Sequence, residues 1–272
     1  MGFMTSDPRT PIDPAAVNQA LAGSWRVEAV SVTESTNADL LAAAAGGAPA
    51  GLVRVAEFQS IGRGRLDRSW TSPPGAGLTF SMLLRPSVPL SSWGWLPLLA
   101  GVALVDAVRA LGLTADLKWP NDLLVGAGQV KAAGILSQVA DGAAVIGVGL
   151  NVSTTLEELP VPTATSLLLQ APQAQLDRGA LLVDFLTLFA AGYHDWQSPG
   201  GDLAERYRQR CLTIGQRVNV QLADRMLTGT AVGVDDEGRL LVAAEPAAEP
   251  GAAPEAVAAG DVTHVRPGAA NL

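Results

Sequence analysis

The chain has 272 residues and is poor in cysteine, histidine and aromatic residues. Its one cysteine, Cys211, excludes an intrachain disulfide and a cysteine-ligated zinc cluster. His194 and His264, the two histidines, have no plausible triad or metal partner in the sequence, and Cys211 has no histidine nearby. These absences disfavour covalent nucleophilic catalysis. The scarcity of cysteine also favours a reducing, cytoplasmic location.

Basic residues and long apolar runs are also scarce. Lysine and arginine total 18 against 26 acidic residues, and the resulting net charge of −8 disfavours general affinity for nucleic acid or anionic membranes. The most apolar stretch, 96–105, is too short to span a bilayer, and no apolar segment near the N-terminus resembles a signal peptide. We therefore predict a cytoplasmic protein that binds neither nucleic acid nor membrane, as a monomer or weak dimer.

Hydrophobic residues are plentiful, at 48% of the chain, and predict a sizeable core. Alternating and helical patterns predict an α+β domain over 26–210, preceded by an N-terminal leader at 1–25. Short strand patterns predict a small C-terminal β-barrel domain over 211–272. An Ala/Pro/Glu run at 243–259 has low complexity and predicts a disordered insertion, and the Pro/Thr-rich stretch 152–175 predicts a loop.

A Gly/Arg-rich loop is predicted at 60–77. It contains Gly62-Arg63-Gly64-Arg65, followed by Arg68 and Trp70. Glycines let backbone N–H groups approach an anion, arginines supply forked donors for phosphate or carboxylate, and a tryptophan can stack on a purine. A solvated charged loop or an RNA-binding segment explains the same pattern equally well. The dinucleotide-binding fingerprint fails, because Asp67 stands at the third glycine position and no helix follows.

Two motifs contain a lysine. In Lys118-Trp119-Pro120-Asn121-Asp122, the carboxylate could hold Mg²⁺ or accept a proton, although an ordinary turn needs the same residues. Lys131 lies in an apolar strand, where a buried lysine needs an anionic partner, whereas a lysine that guards a sheet edge does not. No Walker A loop is present here, because no glycine precedes Lys131 and Ala132 follows it.

Three further motifs combine small and polar residues. Ser35-Thr36-Asn37 opens a predicted helix with a capping residue. In Gly147-Val148-Gly149-Leu150-Asn151-Val152, small residues permit close approach of a ligand to a strand end, although packing alone explains them. Ala164-Thr165-Ser166-Leu167 indicates by itself only a helix start.

Taken together and in this order, the motifs resemble those of the biotin protein ligases. They span roughly residues 30–170, and Ile214-Gly215-Gln216-Arg217-Val218 resembles the start of the family's C-terminal SH3-like barrel. The resemblance implies a mixed-sheet catalytic domain of the biotin/lipoate ligase type followed by that barrel. About 34 residues precede Ser35, which implies the form without an N-terminal DNA-binding domain and without repressor activity.

The resemblance implies a two-step reaction. Biotin and ATP, with Mg²⁺, give biotinyl-5′-AMP and pyrophosphate. A lysine of a biotin carboxyl carrier protein, the biotinyl domain of acyl-CoA carboxylases, then attacks the mixed anhydride and releases AMP. Both loops, at 60–77 and 152–175, are expected to be mobile without ligand and to fold over the adenylate.

The resemblance also implies a role for each site residue. The expected biotin-binding residues are Ser35, Thr36, Asn37, Gln59, Arg63, Gly64, Arg65, Lys131 and Gly134. The residues expected to bind ATP or the adenylate are Arg65, Arg68, Trp70, Lys118, Asn121, Lys131 and Asn151. The expected catalytic residues are Lys131, Arg65 and Asp122, and no residue is assigned to a metal. Gly149 is expected to line the pocket through its backbone.

Three other functions remain open from the sequence. A lipoate–protein ligase uses the same adenylation chemistry. A non-enzymatic RNA-binding protein would use the Gly/Arg loop and the barrel, but the −8 charge and the 5% aromatic content disfavour it. A repressor would bind operator DNA.

Overall fold

The computed structural model describes residues 9–66, 68–245 and 252–265. The α-helices are α1 (Pro14–Ala20), α2 (Thr36–Ala45), α3 (Trp95–Ala110), α4 (Leu167–Gln170), α5 (Arg178–Trp196) and α6 (Leu203–Arg208), and a 3₁₀ helix spans Leu90–Gly94. The strands are β1 (Arg26–Thr33), β2 (Leu52–Gln59), β3 (Gly77–Leu84), β4 (Ala115–Lys118), β5 (Asp122–Val125), β6 (Val130–Ala140), β7 (Ala143–Asn151), β8 (Arg217–Gln221), β9 (Met226–Val234), β10 (Leu240–Ala244), β11 (Glu255–Val257) and β12 (Asp261–His264).

Seven strands form one mixed sheet in the order β1-β2-β3-β7-β6-β5-β4. Strands β1 and β2 are parallel and the remaining neighbours are antiparallel. A tight turn at Asp141-Gly142 joins β6 to β7 as a hairpin, and both residues have the positive φ that such a two-residue turn needs. Helices α3 and α5 pack against each other and contact the sheet, while α2 contacts β2, β3, β6 and β7 with its own buried cluster. The mixed α+β fold is therefore confirmed.

Helix α3 continues the 3₁₀ helix, so one helical run spans Leu90–Ala110. Leu90–Ala110 has 21 residues, and an 18-residue stretch of it has a mean hydropathy of 1.3, enough by length and composition alone to cross a membrane. Of that stretch, 72% is buried inside the protein, where α3 packs against α5. Its apolar character is explained by this core position.

A second, five-stranded antiparallel sheet has the order β11-β10-β9-β8-β12. Alternate residues of β8, such as Val218 and Val220, are buried in the same core cluster as the large sheet. The chain enters this sheet beside β4, where Leu117 exchanges backbone hydrogen bonds with Arg210 and Leu212. The two sheets are thus joined by main chain as well as by apolar packing.

Three sequence predictions need correction. Residues 9–25 do not form a separate leader, because Ile12, Val17 and Trp25 are buried in the main core; residues 1–8 lie outside the described part. The disordered insertion predicted at 243–259 is also wrong where β10 reaches Ala244 and β11 forms, since both strands pair in the small sheet. Residues 246–251 lie outside the described part. The stretch 152–175, predicted as a loop throughout, contains α4.

Candidate active site

A cleft of about 930 Å³, including the part open to solvent, lies at the junction of the two sheets. It brings together all but one of the predicted site residues: Ser35, Thr36, Asn37, Gln59, Arg63, Gly64, Arg65, Arg68, Trp70, Lys118, Asn121, Asp122, Lys131 and Gly134, together with Gly149. Strands and loops that are distant in sequence therefore meet at one place.

A network of hydrogen bonds between polar side chains forms one end of the cleft. Gln59 Oε1 accepts from the backbone N–H of Thr36 at 2.7 Å and from its hydroxyl at 3.0 Å. Ser81 Oγ lies 2.7 Å from Thr36 Oγ1 and donates to Asn37 Oδ1 at 2.5 Å. The Asn37 amide donates to Gln138 Oε1 at 2.8 Å. These contacts fix the start of α2, where Ser35, Thr36 and Asn37 are all buried.

Strands β2, β3, β6 and β7 form what we call the cleft floor. Glycines on β6 and β7 make room there for neighbouring side chains. A Cβ at Gly149 would lie 2.4 Å from Cε2 of Trp70, and one at Gly147 would lie 2.1 Å from Asn37 Oδ1. A Cβ at Gly134 would be 3.4 Å from the same indole. The indole therefore lies directly over the backbone of β6 and β7, and its buried Nε1 has no hydrogen-bond partner among the described residues.

The chain's two lysines, Lys118 and Lys131, both line the cleft. Lys131 Nζ lies 2.6 Å from Asp122 Oδ1, which supplies the anionic partner that the sequence predicted for a lysine in an apolar strand. Lys118 faces Asp122 across the β4–β5 pair. The Lys131 side chain is 37% exposed, so its ammonium group is accessible from the cleft.

Arginines approach the cleft on a small loop that we call the basic hairpin, residues 62–66 and 68–70. It is held by an antiparallel bridge between Arg63 and Ser69 and by hydrogen bonds from Gly64 N to Arg68 O and from Trp70 N to Gly62 O. Burial lowers the pKa of Arg65 from its usual value, and the charges of Asp122 and Asp261 oppose this effect. The hairpin thus carries cations to the mouth of the cleft.

Strand β12 and the residue before it supply residues that the sequence analysis missed. Gly260, Asp261 and Val262 line the cleft, and Asp261 Oδ2 accepts from Arg68 Nη2 at 2.5 Å. This hydrogen bond is the main reason why the pKa of Asp261 is lowered, and the charges of Lys118 and Arg65 add to it. No local motif marks Asp261, because its partner is 193 positions away. Ser81, which bonds to Thr36 and Asn37, was also missed; like Thr79, it is a polar residue in the mainly apolar strand β3.

Two predicted nucleotide contacts have side chains that bond to backbone carbonyls. Asn121 Nδ2 donates to Ile135 O at 3.1 Å, and this residue still lines the cleft. Asn151 Nδ2 donates to Thr165 O at 2.9 Å and does not line it. The structure therefore places Asn151 behind the cleft, where it ties the end of β7 to the segment before α4.

The described residues contain no cluster of three or more histidine, cysteine, aspartate or glutamate side chains that could hold a metal ion. Among the described residues that line the cleft, the carboxylates are Asp122 and Asp261, and each is paired with a basic side chain. This donor set fits a cation that arrives with its own phosphate and water ligands, as Mg²⁺ bound to a nucleotide does.

Comparison with known proteins gives consistent results. A family model described as the biotin/lipoate A/B protein ligase family matches residues 29–153, and the biotin protein ligase C terminal domain matches residues 213–265. The chain is 42% identical to a biotin–[acetyl-CoA-carboxylase] ligase of Mycobacterium tuberculosis, over 95% of this chain and 97% of that protein. It is 34% identical to the bifunctional ligase/repressor BirA of Bacillus subtilis, over 79% of this chain and 67% of that protein.

The fold agrees with these sequence matches. A biotin protein ligase from Aquifex aeolicus, solved in complex with biotin and ATP, superimposes with a TM-score of 0.73 at 25% identity and covers 89% of this chain and 99% of its own. The sequence resemblance, the mixed sheet with its C-terminal antiparallel sheet and the cleft at their junction all lead to one conclusion: the chain belongs to the biotin protein ligase family.

Proposed function

We propose that the protein is an ATP-dependent ligase that forms biotinyl-5′-AMP and transfers the biotinyl group to a lysine of a carboxylase carrier domain. The observation that carries this proposal is the continuity of the cleft. One end offers hydroxyl and amide groups from Thr36 and Asn37, and the other offers the cations Lys131, Arg65 and Arg68. A neutral ring with a carboxylate tail, next to a nucleotide, matches this gradient from neutral polar groups to positive charge.

The polar end is suited to the ureido ring of biotin. Ser35, Thr36, Asn37 and Gln59 present donors and acceptors from buried positions or positions close to the floor. Because Gly134 and Gly149 carry no side chain, the Trp70 indole lies against the strands and offers a flat apolar surface beside which the ring and its tail can pack. We assign these residues to recognition of the ring and its tail.

In the first step, an oxygen of the biotin carboxylate attacks the α-phosphorus of ATP, and the bond to the β-phosphate breaks. We assign Lys131, which lines the cleft, to contact both the carboxylate and the α-phosphate, and Arg65 and Arg68 of the basic hairpin to act on the same two groups. Positive groups fixed in advance hold the two anions together and stabilise the charge that develops on the phosphoryl oxygens. Lys118 supports the leaving phosphates, and Arg63 and Gly64 shape the hairpin that covers the tail.

In the second step, the neutral amine of the acceptor lysine attacks the acyl carbon, and the bond from that carbon to the phosphate oxygen breaks to release AMP. Asp122 is one of the carboxylates that line the cleft. Its Oδ1 lies 2.6 Å from Lys131 Nζ, and this contact orients it. We assign it to orient the incoming ammonium group and to receive its proton. Trp70, Asn121 and Asn151 complete the adenylate site, the last by holding the end of β7.

Mg²⁺ would supply charge neutralisation to the triphosphate. Asp122 and Asn121 both line the cleft, and their side-chain oxygens would hold it together with the phosphates. The other groups named above, which bind or orient the substrates or accept a proton, are residues of the chain itself.

The remaining proposals concern organisation. We propose a catalytic domain at 26–210 and a C-terminal SH3-like domain at 211–272, acting as a monomer or weak dimer in the cytoplasm, without binding nucleic acid or membrane. The acceptor is the biotinyl domain of a carboxylase, as the name of the Mycobacterium tuberculosis relative indicates for that protein.

The test is transfer of labelled biotin to a carrier domain in the presence of MgATP, with each component omitted in turn. Label on the carrier that requires all three components supports the proposal, and a carrier with its acceptor lysine changed to arginine is the control. Competition with lipoate distinguishes the related ligase. Transfer of lipoate in preference to biotin, or no transfer at all, would contradict the proposed function.

A further inference from the structure

The contact between Arg68 and Asp261 joins the basic hairpin to the small sheet across the mouth of the cleft. Arg68 Nη2 lies 2.5 Å from Asp261 Oδ2 and Nη1 lies 3.5 Å from Oδ1, so the guanidinium and the carboxylate face each other as a fork. A guanidinium makes the same forked contact with carboxylates and phosphates. The acidic side chain therefore pairs with a cation that the proposed function assigns to the phosphates.

The surroundings of Asp261 are those that a phosphate would meet. Besides Arg68, the charges of Lys118 and Arg65 act on its carboxylate, and together with the hydrogen bond they hold its pKa below the usual value. The opposite carboxylate of the cleft, Asp122, is committed to Lys131.

We propose that Asp261 is a positioning residue that holds Arg68 at the small sheet until a phosphate of the nucleotide takes its place. The contact is suited to exchange, because the Arg68 and Asp261 side chains are 62% and 49% exposed, and exposed ion pairs of this kind are weak. A triphosphate carries more negative charge than one carboxylate and therefore displaces Asp261 from the Arg68 guanidinium. Nucleotide binding then releases the basic hairpin from the small sheet and turns it toward the substrate. This inference rests on the proposed function.

The proposal makes a specific prediction for Asp261→Asn. The KM for ATP in biotin-dependent pyrophosphate release should fall by about twofold to fivefold, because the competing anion is gone, while kcat stays within twofold of the wild type. A purely structural role would raise KM or lower kcat together with the melting temperature. Asp261→Ala serves as a second variant should the asparagine still bond to Arg68.

A double-mutant cycle separates exchange through Arg68 from general repulsion of the nucleotide. In an Arg68→Ala background, Asp261→Asn should leave the KM for ATP unchanged, because the guanidinium for which Asp261 and the phosphate compete is absent. Glu245→Gln is the matched control: Glu245 pairs with Arg217 on the same small sheet, at 45% and 56% exposure, away from the cleft. This control variant should leave KM unchanged.

The outcomes are distinguishable. A fall in KM that disappears with Arg68→Ala supports the proposal. A fall of the same size in both backgrounds, an unchanged KM or a raised KM overturns it, while wild-type turnover keeps the proposed function intact. If the wild type itself shows no biotin-dependent pyrophosphate release, the proposed function fails and this inference fails with it.

Discussion

The cleft floor and the basic hairpin face the same cleft but are held in different ways. The floor consists of paired strands whose residues are largely buried, and β3 and β7 are buried along their whole lengths. The hairpin has one bridge of its own and is joined to the small sheet by a half-exposed ion pair. Rigid strands fix the ring of a substrate, whereas a weakly held loop of cations can rearrange when anions arrive. The predictions below test this division, beginning with the largest expected effect.

Below the floor, the buried ion pair of Arg178 and Glu57 anchors β2 and β3. Arg178 is 1% exposed, lies 2.6 Å from Glu57 and also donates to the carbonyl oxygens of Gly77 and Thr10. Arg178→Ala leaves Glu57 without its partner and should lower the free energy of unfolding by about 3–5 kcal/mol in urea titrations. Arg217→Ala, which breaks an exposed pair, should cost less than about 1 kcal/mol. Equal losses would contradict the claim that the floor is anchored from below.

Lys131→Ala tests a cation that belongs to the cleft floor but acts together with the arginines of the basic hairpin. It removes the cation on β6 and leaves Asp122 unpaired, so biotin-dependent pyrophosphate release should fall by about 30-fold to 5,000-fold, equivalent to about 2–5 kcal/mol. An unchanged melting temperature would show that the loss is chemical rather than structural. Near-normal release by this variant would remove Lys131 from the active site.

Gly149→Ala tests whether the cleft floor must lack a side chain beneath the Trp70 indole. The new Cβ would lie 2.4 Å from the Trp70 indole, which must shift, and biotin binding should weaken by about 1–3 kcal/mol in calorimetry. Gly233→Ala on β9 is the control, because its Cβ would meet nothing closer than Leu241 at 3.9 Å. Wild-type affinity in Gly149→Ala would show that the indole is not held against the floor.

Most strands and helices were predictable, because their hydrophobic periods match the buried faces they form. Strand β7 is a continuous run of small and apolar residues, and helix α5 repeats apolar residues on its buried face, so both patterns are visible in the sequence. The leader was wrong because burial of Ile12 and Trp25 depends on α5 and the sheet, which local composition does not reveal. Strand β11 lies in an Ala/Pro/Glu run and forms through pairing with β10.

The site shows the same limit. Motifs identified the residues that meet in the cleft because each combines polar or small residues within a few positions. Asp261 and Ser81 were missed because their partners, Arg68 and Asn37, lie far away in sequence. Asn151 carried a motif signal, yet its amide serves the backbone of Thr165. Local patterns therefore identified residues in and around the cleft. Only the tertiary structure distinguished the residues that line the cleft from those, such as Asn151, that hold its strands in place.

The smallest effect concerns the basic hairpin alone. Biotin with MgATP should slow tryptic cleavage after Arg65 several-fold, because closure of the hairpin over the adenylate removes it from the protease. Arg225, in an exposed turn of the small sheet, provides an internal control whose cleavage should not change. Equal cleavage at Arg65 with and without ligands would show that the hairpin does not close.

The central claim is that this cleft, in a protein of net charge −8, binds a neutral ring through its floor and the attached carboxylate through its cations. Titration of biotin into the purified protein in a calorimeter tests it most directly. The account predicts heat that saturates at one biotin per chain and that is lost in Lys131→Ala. Absence of binding heat across the temperature range in which the protein is folded would contradict it.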